Sequence, residues 1–142
     1  MELRWERRLL QAVVGLACLV PLWAGLAGIA LGPAMAGGPD ATAASLDSHF
    51  RYLSGLLLGI GLAFAACIPR IERAGAVYAT LSAIVIMGGL ARLLALLLHG
   101  APGGGHVFGL AMELGAVPLL LLWQRSLAAR WASPGDGAAP AA

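Results

Sequence analysis

Residues 76–98 read AVYATLSAIVIMGGLARLLALLL, and the single charged side chain in these 23 residues is Arg92. An α-helix rises about 1.5 Å per residue, so this stretch reaches about 35 Å, enough to cross the hydrocarbon core of a bilayer. Further apolar runs lie at 9–31, 50–68 and 107–123. The pattern predicts an all-α integral membrane protein, a bundle of four transmembrane helices.

Composition supports this prediction and excludes other classes. The chain of 142 residues is 60% hydrophobic and 11% charged, whereas an ordinary soluble domain is about 45–50% apolar and about 25% charged. The nine basic residues are scattered arginines, without any lysine, and seven acidic residues reduce the net charge to +2. This charge is too small for a nucleic-acid-binding surface. The expected partner is therefore the lipid bilayer, with no nucleic acid.

The chain divides into three parts. Residues 1–8 form a charged N-terminal arm, 9–130 the four-helix transmembrane domain, and 131–142 a tail of Pro, Gly and Ala that we expect to be disordered. Ala34-Met35-Ala36 resembles a signal-peptidase site, but the apolar run at 9–31 is longer than the apolar region of a secretory signal. We expect this first span to be retained, with cleavage as the alternative.

Arginine positions predict the orientation of the helices. Seven of the nine lie before the first span, between the second and third, or after the fourth: Arg4, Arg7, Arg8, Arg70, Arg73, Arg125 and Arg130. Connections at the opposite face contain none. The positive-inside rule therefore predicts that both termini are cytoplasmic, in the cytoplasmic (inner) membrane of a bacterium.

Three charged residues are predicted to form a cluster within the apolar spans. Arg92 lies six residues before the end of the third span and Glu113 six residues after the start of the fourth, so each is about 9 Å below the same membrane edge. A short connection makes these helices antiparallel neighbours, and an unpaired charge at this depth costs at least about 2.5–3.5 kcal/mol. Arg51 begins the second span on the same side. Secondary members of the predicted cluster are Asp47, His49 and Tyr78.

Helical spacing predicts which faces are buried. One stripe, with steps of four and three residues, consists of Tyr78, Ser82, Val85, Gly89 and Arg92. A second stripe contains Arg51, Gly55 and Gly59, and both are expected to face the bundle interior, where small residues let helices approach closely. Ser45 or Asp47 is the expected N-cap of the second helix.

Several of these residues also occur in stretches that resemble a known family. The stretches are 47–55 (DSHFRYLSG) leading into Gly59, 88–94 (GGLARLL), and Met112-Glu113-Leu114 followed by Pro118 and Trp123-Gln124. Together they resemble the bacterial domain-of-unknown-function family 4345, small four-helix membrane proteins, over nearly the whole chain. The resemblance implies the architecture; as its name states, the family implies no activity, substrate or cofactor.

Sequence motifs do not favour an enzyme or a cofactor site. No nucleophile elbow, zinc-protease motif, phosphate-binding loop or dinucleotide fingerprint occurs. Cys18 and Cys67 lie in apolar runs, where we expect small hydrophobic residues and no metal or haem site. Two functions stay open: a structural or accessory membrane component, as a homo-oligomer or part of a larger complex, and a binder or transporter of a small solute, an anion or a lipid at the Arg/Glu cluster.

Overall fold

The computed structural model describes residues 2–37, 43–100 and 102–133, which form four long helices and no strand. Helix α1 (Glu2–Leu31) is followed by a 3-10 turn, Gly32–Ala36. Helix α2 (Ala44–Cys67) continues into the 3-10 turn Ile68–Arg70, and α3 spans Gly75–His99. Helix α4 (Gly104–Ala132) contains a π-helical turn, Met112–Ala116. All four are long and apolar enough to cross a membrane, which confirms the predicted fold class.

The helices are longer than the apolar runs that predicted them. The N-terminal arm at 1–8 is, from Glu2 onward, the first two turns of α1, and Trp131 and Ala132 extend α4 into the segment assigned to the tail. Residues 134–142, the rest of the predicted tail, lie outside the described residues. Polar residues end an apolar run without ending a helix, because a helix continues into the polar membrane interface without losing its backbone hydrogen bonds.

The chain forms two compact units, residues 12–69 and residues 1–11 with 70–142. The first contains most of α1 and all of α2, and is called here the α1–α2 unit. The second contains the start of α1, α3 and α4, and is called the α3–α4 unit.

Glycines bring the helices of the α1–α2 unit into close contact. A Cβ atom on Gly25 would lie 2.8 Å from the backbone nitrogen of Leu58, and one on Gly28 would overlap the Ser54 side chain. On α2, a Cβ on Gly61 would lie 3.2 Å from Leu22. The face of α2 that contacts α1 therefore contains residues 54, 58 and 61, which are spaced by four and three residues. The cysteines Cys18 and Cys67 are buried free thiols of this unit.

The predicted burial of Gly55 and Gly59 is wrong. A Cβ on either residue would meet no atom within 4 Å among the described residues. Each α-helical residue advances by about 100°, so a step of four overshoots a full turn by about 40°, and two such steps from Arg51 rotate the stripe off the contact face. Alternating steps of three and four keep a stripe on one face, as at 51, 54, 58 and 61.

The predicted stripe on α3 does face the interior of the α3–α4 unit. Tyr78, Ser82 and Gly89 are buried, and the Ser82 hydroxyl donates a hydrogen bond of 2.8 Å to the Tyr78 carbonyl. A Cβ on Gly89 would lie 2.7 Å from the Leu114 side chain and 2.9 Å from that of Glu113. This glycine lets α4 approach α3 at the level of the charged residues.

Large apolar side chains cover the outside of the helices. Leu16, Trp23, Leu97 and Leu119 are 68%, 68%, 72% and 67% exposed. A soluble monomer rarely exposes large contiguous apolar patches. This surface agrees with the finding that all four helices are long and apolar enough to cross a membrane.

Candidate functional site

The Arg92 cluster consists of Arg92, Glu113 and His106 in the α3–α4 unit. Arg92 Nε donates to Glu113 Oε2 at 2.9 Å and Nη2 donates to Oε1 at 3.1 Å, so the pair is bidentate. The third guanidinium nitrogen, Nη1, lies 2.9 Å from His106 Nδ1. Arg92 is 33% exposed and Glu113 18%. All three guanidinium nitrogens therefore have a partner, and the two formal charges cancel.

Small residues and a π-helical turn position this cluster. Gly89 admits Glu113, and a Cβ on Gly109 would lie 3.7 Å from Arg92 Cζ. The π turn is closed by the Val117 amide, which donates to the Met112 carbonyl, five residues back. Pro118 explains the turn: it has no N–H, and its ring would clash with the Leu114 carbonyl in a regular α-helix. The sequence contained this signal in Pro118, but periodicity alone did not predict the turn.

Arg51 has a different set of partners, in the α1–α2 unit. Its Nε donates to Asp47 Oδ2 at 2.8 Å and its Nη2 to Oδ1 at 3.1 Å. Its Nη1 donates to the carbonyls of Ile29, and of Ala30 at 3.2 Å. The last carbonyls of a helix lack partners within the helix and carry partial negative charge, so Arg51 caps the end of α1. Asp47 pairs with Arg51 and does not cap α2, whose N-cap, Ala43, makes no side-chain cap bond.

The predicted site residues form two ion pairs, one in each unit. Arg92 and Glu113 are in contact, and Arg51 is in contact with Asp47, while His49 is exposed. Tyr78 shares the stripe of Arg92, but fourteen residues separate them, about 21 Å along the helix, so Tyr78 is not a member of the Arg92 cluster. A cluster that joins Arg51 to Arg92 and Glu113 stays a prediction.

Sequence reasoning missed a second polar assembly, at the opposite end of the α3–α4 unit. We call it the arginine-rich end: residues 2–10 of α1, the turn at 70–74, and α4 from Trp123 onward. Arg7 Nε donates to Glu72 at 2.7 Å, and its guanidinium carbon lies 5.7 Å from the centre of the Trp131 ring. Arg130 forms an ion pair with Glu6.

Neutral groups complete the arginine-rich end. The Trp123 indole donates to Glu6 at 2.9 Å, and the buried Gln124 amide donates to the Ile71 carbonyl at 2.8 Å. Leu10, Ile71 and Leu127 are fully buried. The available sequence signal was the occurrence of glutamates close to arginines in these chain segments. Oppositely charged side chains attract each other when the fold brings their segments together.

A pH dependence follows from the Glu72 carboxylate, which lies between the second and third spans. Burial raises the pKa of Glu72, but bonds from its own backbone amide and from Arg7 outweigh burial, and the net pKa is lowered. A lowered folded-state pKa stabilises the protein at neutral pH, and this stabilisation is lost as the pH falls below about 4.3 and through the folded pKa. We expect Glu72→Gln to remove that part of the acid sensitivity and to cost about 1.5–3 kcal/mol at pH 7.

Denaturation midpoints between pH 3 and pH 7, in detergent, measure this effect. The exposed Glu2, in the first turn of α1, provides the control, and Glu2→Gln should lower the midpoint at pH 7 by less than Glu72→Gln does. Equal midpoints for wild type and Glu72→Gln at pH 7 would contradict the assigned role.

The described residues contain no group of three His, Cys, Asp or Glu side chains that could hold a metal ion. Comparison with protein families gives one finding: residues 9–124 match the model of a domain of unknown function (DUF4345). This match covers about four-fifths of the chain and confirms the resemblance found in the sequence. Searches of curated proteins and of solved structures gave no match.

Proposed function

The chain belongs to the family of the domain of unknown function DUF4345, and from this membership and its four apolar helices we propose a multi-pass protein of the bacterial cytoplasmic membrane with both termini in the cytoplasm. The exposed apolar side chains support insertion into lipid. The seven arginines of the termini and of the connection between α2 and α3 support the orientation.

Within the membrane we assign the protein a structural or accessory role without catalysis. The observation that carries this role is the pairing of charges within the apolar helices. Arg92 has Glu113 and His106, and Arg51 has Asp47 and two helix carbonyls. Breaking a buried pair costs about 3–5 kcal/mol, so the Arg92–Glu113 pair fixes the register of α3 against α4. Arg51 joins α2 to the end of α1 through the carbonyls of Ile29 and Ala30. A cluster without surplus charge has no need of a bound anion.

The second candidate is a binder or transporter of a small solute, an anion or a lipid at the Arg92 cluster. One observation favours it: the cluster includes a π-helical turn, and such turns occur frequently at functional sites. The structural role and the binding role differ in whether the purified protein retains a small ligand at the Arg92 cluster. Native mass spectrometry of protein extracted with its lipids should show, for the structural role, a homo-oligomer or a complex in which no bound ligand depends on Arg92. For the binding role it should show a stoichiometric small ligand that Arg92→Gln abolishes.

Topology is tested by cysteine accessibility in a background with both native cysteines replaced. Gly104→Cys, at the start of α4, should react with an impermeant thiol reagent added outside the cell. Arg73→Cys, in the turn between α2 and α3, should react only after the membrane is permeabilised. The reverse labelling pattern would overturn the orientation, and release of the protein by carbonate washing would overturn membrane insertion.

A further inference from the structure

Two of the seven arginines at the arginine-rich end form ion pairs with described glutamates. Arg7 and Arg130 form ion pairs with Glu72 and Glu6. The others are exposed and form no ion pair with any described residue: Arg4, Arg8, Arg70, Arg73 and Arg125. We propose that this end of the protein binds the phosphate groups of anionic phospholipids.

The described residues leave this end with unneutralised positive charge. The described residues of the arginine-rich end contain seven arginines and three glutamates, a surplus of four positive charges. At the opposite end of the same unit the described residues contain one arginine, Arg92, which pairs with Glu113. The need for external anions is therefore confined to one end of the α3–α4 unit.

The ion pairs also hold the unpaired arginines in fixed places. The Arg7–Glu72 pair ties the start of α1 to the turn at 70–74, and the Glu6–Arg130 pair ties it to the end of α4. Each unpaired arginine lies within a few residues of one of these contacts or of the Gln124–Ile71 hydrogen bond. The anion-binding groups are thus arranged on a preformed surface.

Neighbouring apolar side chains select a lipid from among anionic ligands. Trp5 follows Arg4 and is 68% exposed, and Leu9 follows Arg8 and is 43% exposed. A nucleotide or an acidic protein segment would leave these side chains in water. A phospholipid binds both the arginines and the apolar side chains. Its phosphate accepts the forked guanidinium hydrogen bonds, and its acyl region covers the apolar side chains. Tryptophan is also the side chain enriched at this depth of the membrane.

This inference rests on the proposed membrane insertion but not on the proposed structural role. The proposed lipid site is separate from the Arg92 cluster, because it lies at the arginine-rich end of the α3–α4 unit. Each arginine near an anionic surface strengthens binding by about fivefold.

The test uses full-length protein in neutral detergent, titrated with phosphatidylglycerol or with phosphatidylcholine and observed by native mass spectrometry. Wild type should retain phosphatidylglycerol in preference to phosphatidylcholine. The variant Arg4→Gln/Arg8→Gln/Arg73→Gln/Arg125→Gln should lose that preference, and each single change should weaken it by about fivefold. The matched variant with lysine at the same four positions should keep most of it. Millimolar inorganic phosphate should not displace the lipid, because it lacks the acyl region.

An unchanged lipid preference in the glutamine variant would overturn the proposal, as would complete displacement by inorganic phosphate. Loss of preference in the glutamine variant, with retention in the lysine variant and an unchanged melting temperature, supports the proposal. Loss in both variants at an unchanged melting temperature would contradict binding through positive charge. If the glutamine variant fails to fold, the lysine variant and the single changes decide. Wild type that resists carbonate washing but shows no preference would overturn this inference alone, whereas wild type washed from membranes would overturn the proposed function as well.

Discussion

Glu113→Gln is expected to destabilise the protein by about 3–5 kcal/mol, because it leaves the Arg92 guanidinium in the apolar helices without its carboxylate. Arg92→Gln should cost a similar amount by leaving Glu113 alone. The double variant should recover much of the loss, since neither charge is then left uncompensated. Unfolding in mixed micelles, followed by helical circular dichroism, measures all three free energies.

The substitution Asp47→Asn, which removes the carboxylate partner of Arg51, provides the matched control in the α1–α2 unit. Arg51 keeps its helix carbonyls when Asp47 loses its charge, and the Asp47–Arg51 pair lies within one helix, so the cost should be much smaller than that of Glu113→Gln. Additive effects of Arg92→Gln and Glu113→Gln would contradict the structural role of the ion pair. A double variant that stays folded but loses a bound small molecule would instead establish the binding role.

Gly25→Leu is expected to separate α1 from α2, at a cost of about 3 kcal/mol or more. Even the first side-chain atom would lie 2.8 Å from the backbone nitrogen of Leu58 and 2.9 Å from its Cα. Backbone atoms in the middle of a helix do not move aside as a flexible side chain does, so the two helices themselves must shift. Melting temperature in detergent, together with protease resistance of the 12–69 region, reports the loss.

Gly55→Leu, on the same helix as Leu58, is the control for this change. A Cβ at residue 55 meets no described atom within 4 Å, so leucine there should be neutral or should stabilise the helix by up to about 1 kcal/mol. An equal loss of melting temperature from both substitutions would show that α2 contacts α1 through a face other than that of residues 54, 58 and 61.

The sequence sufficed for the fold class because long apolar runs have few structural solutions in a membrane. The Arg92–Glu113 contact was also within reach, since a short connection makes α3 and α4 antiparallel and equal depth follows from counting. The contact face of α2 and the ion pairs of the arginine-rich end could not be predicted from apolar runs and residue counting. The contact face of α2 depends on steps of three and four residues that begin at the correct residue, and glycines occur on several of its faces.

The arginine-rich end illustrates a second limit. Hydropathy treats charged residues at membrane edges as boundaries, so Glu6 and Glu72 carried no structural prediction. Their pairing depends on which helices adjoin at that edge, and Glu6 lies 124 residues from its partner Arg130. Only tertiary structure brings such distant positions together.

The π-helical turn at Met112–Ala116 gives α4 two independently phased halves. Gly109, before the turn, and Glu113, in its first residues, face Arg92. After the turn, Gln124 contacts Ile71 and Arg130 contacts Glu6. One residue more or fewer in an α-helix rotates everything beyond it by about 100°. A one-residue deletion that made α4 regular would therefore leave each half intact as a helix yet set one half out of register with its partners. Sequence length in this short segment is thus as constrained as residue identity.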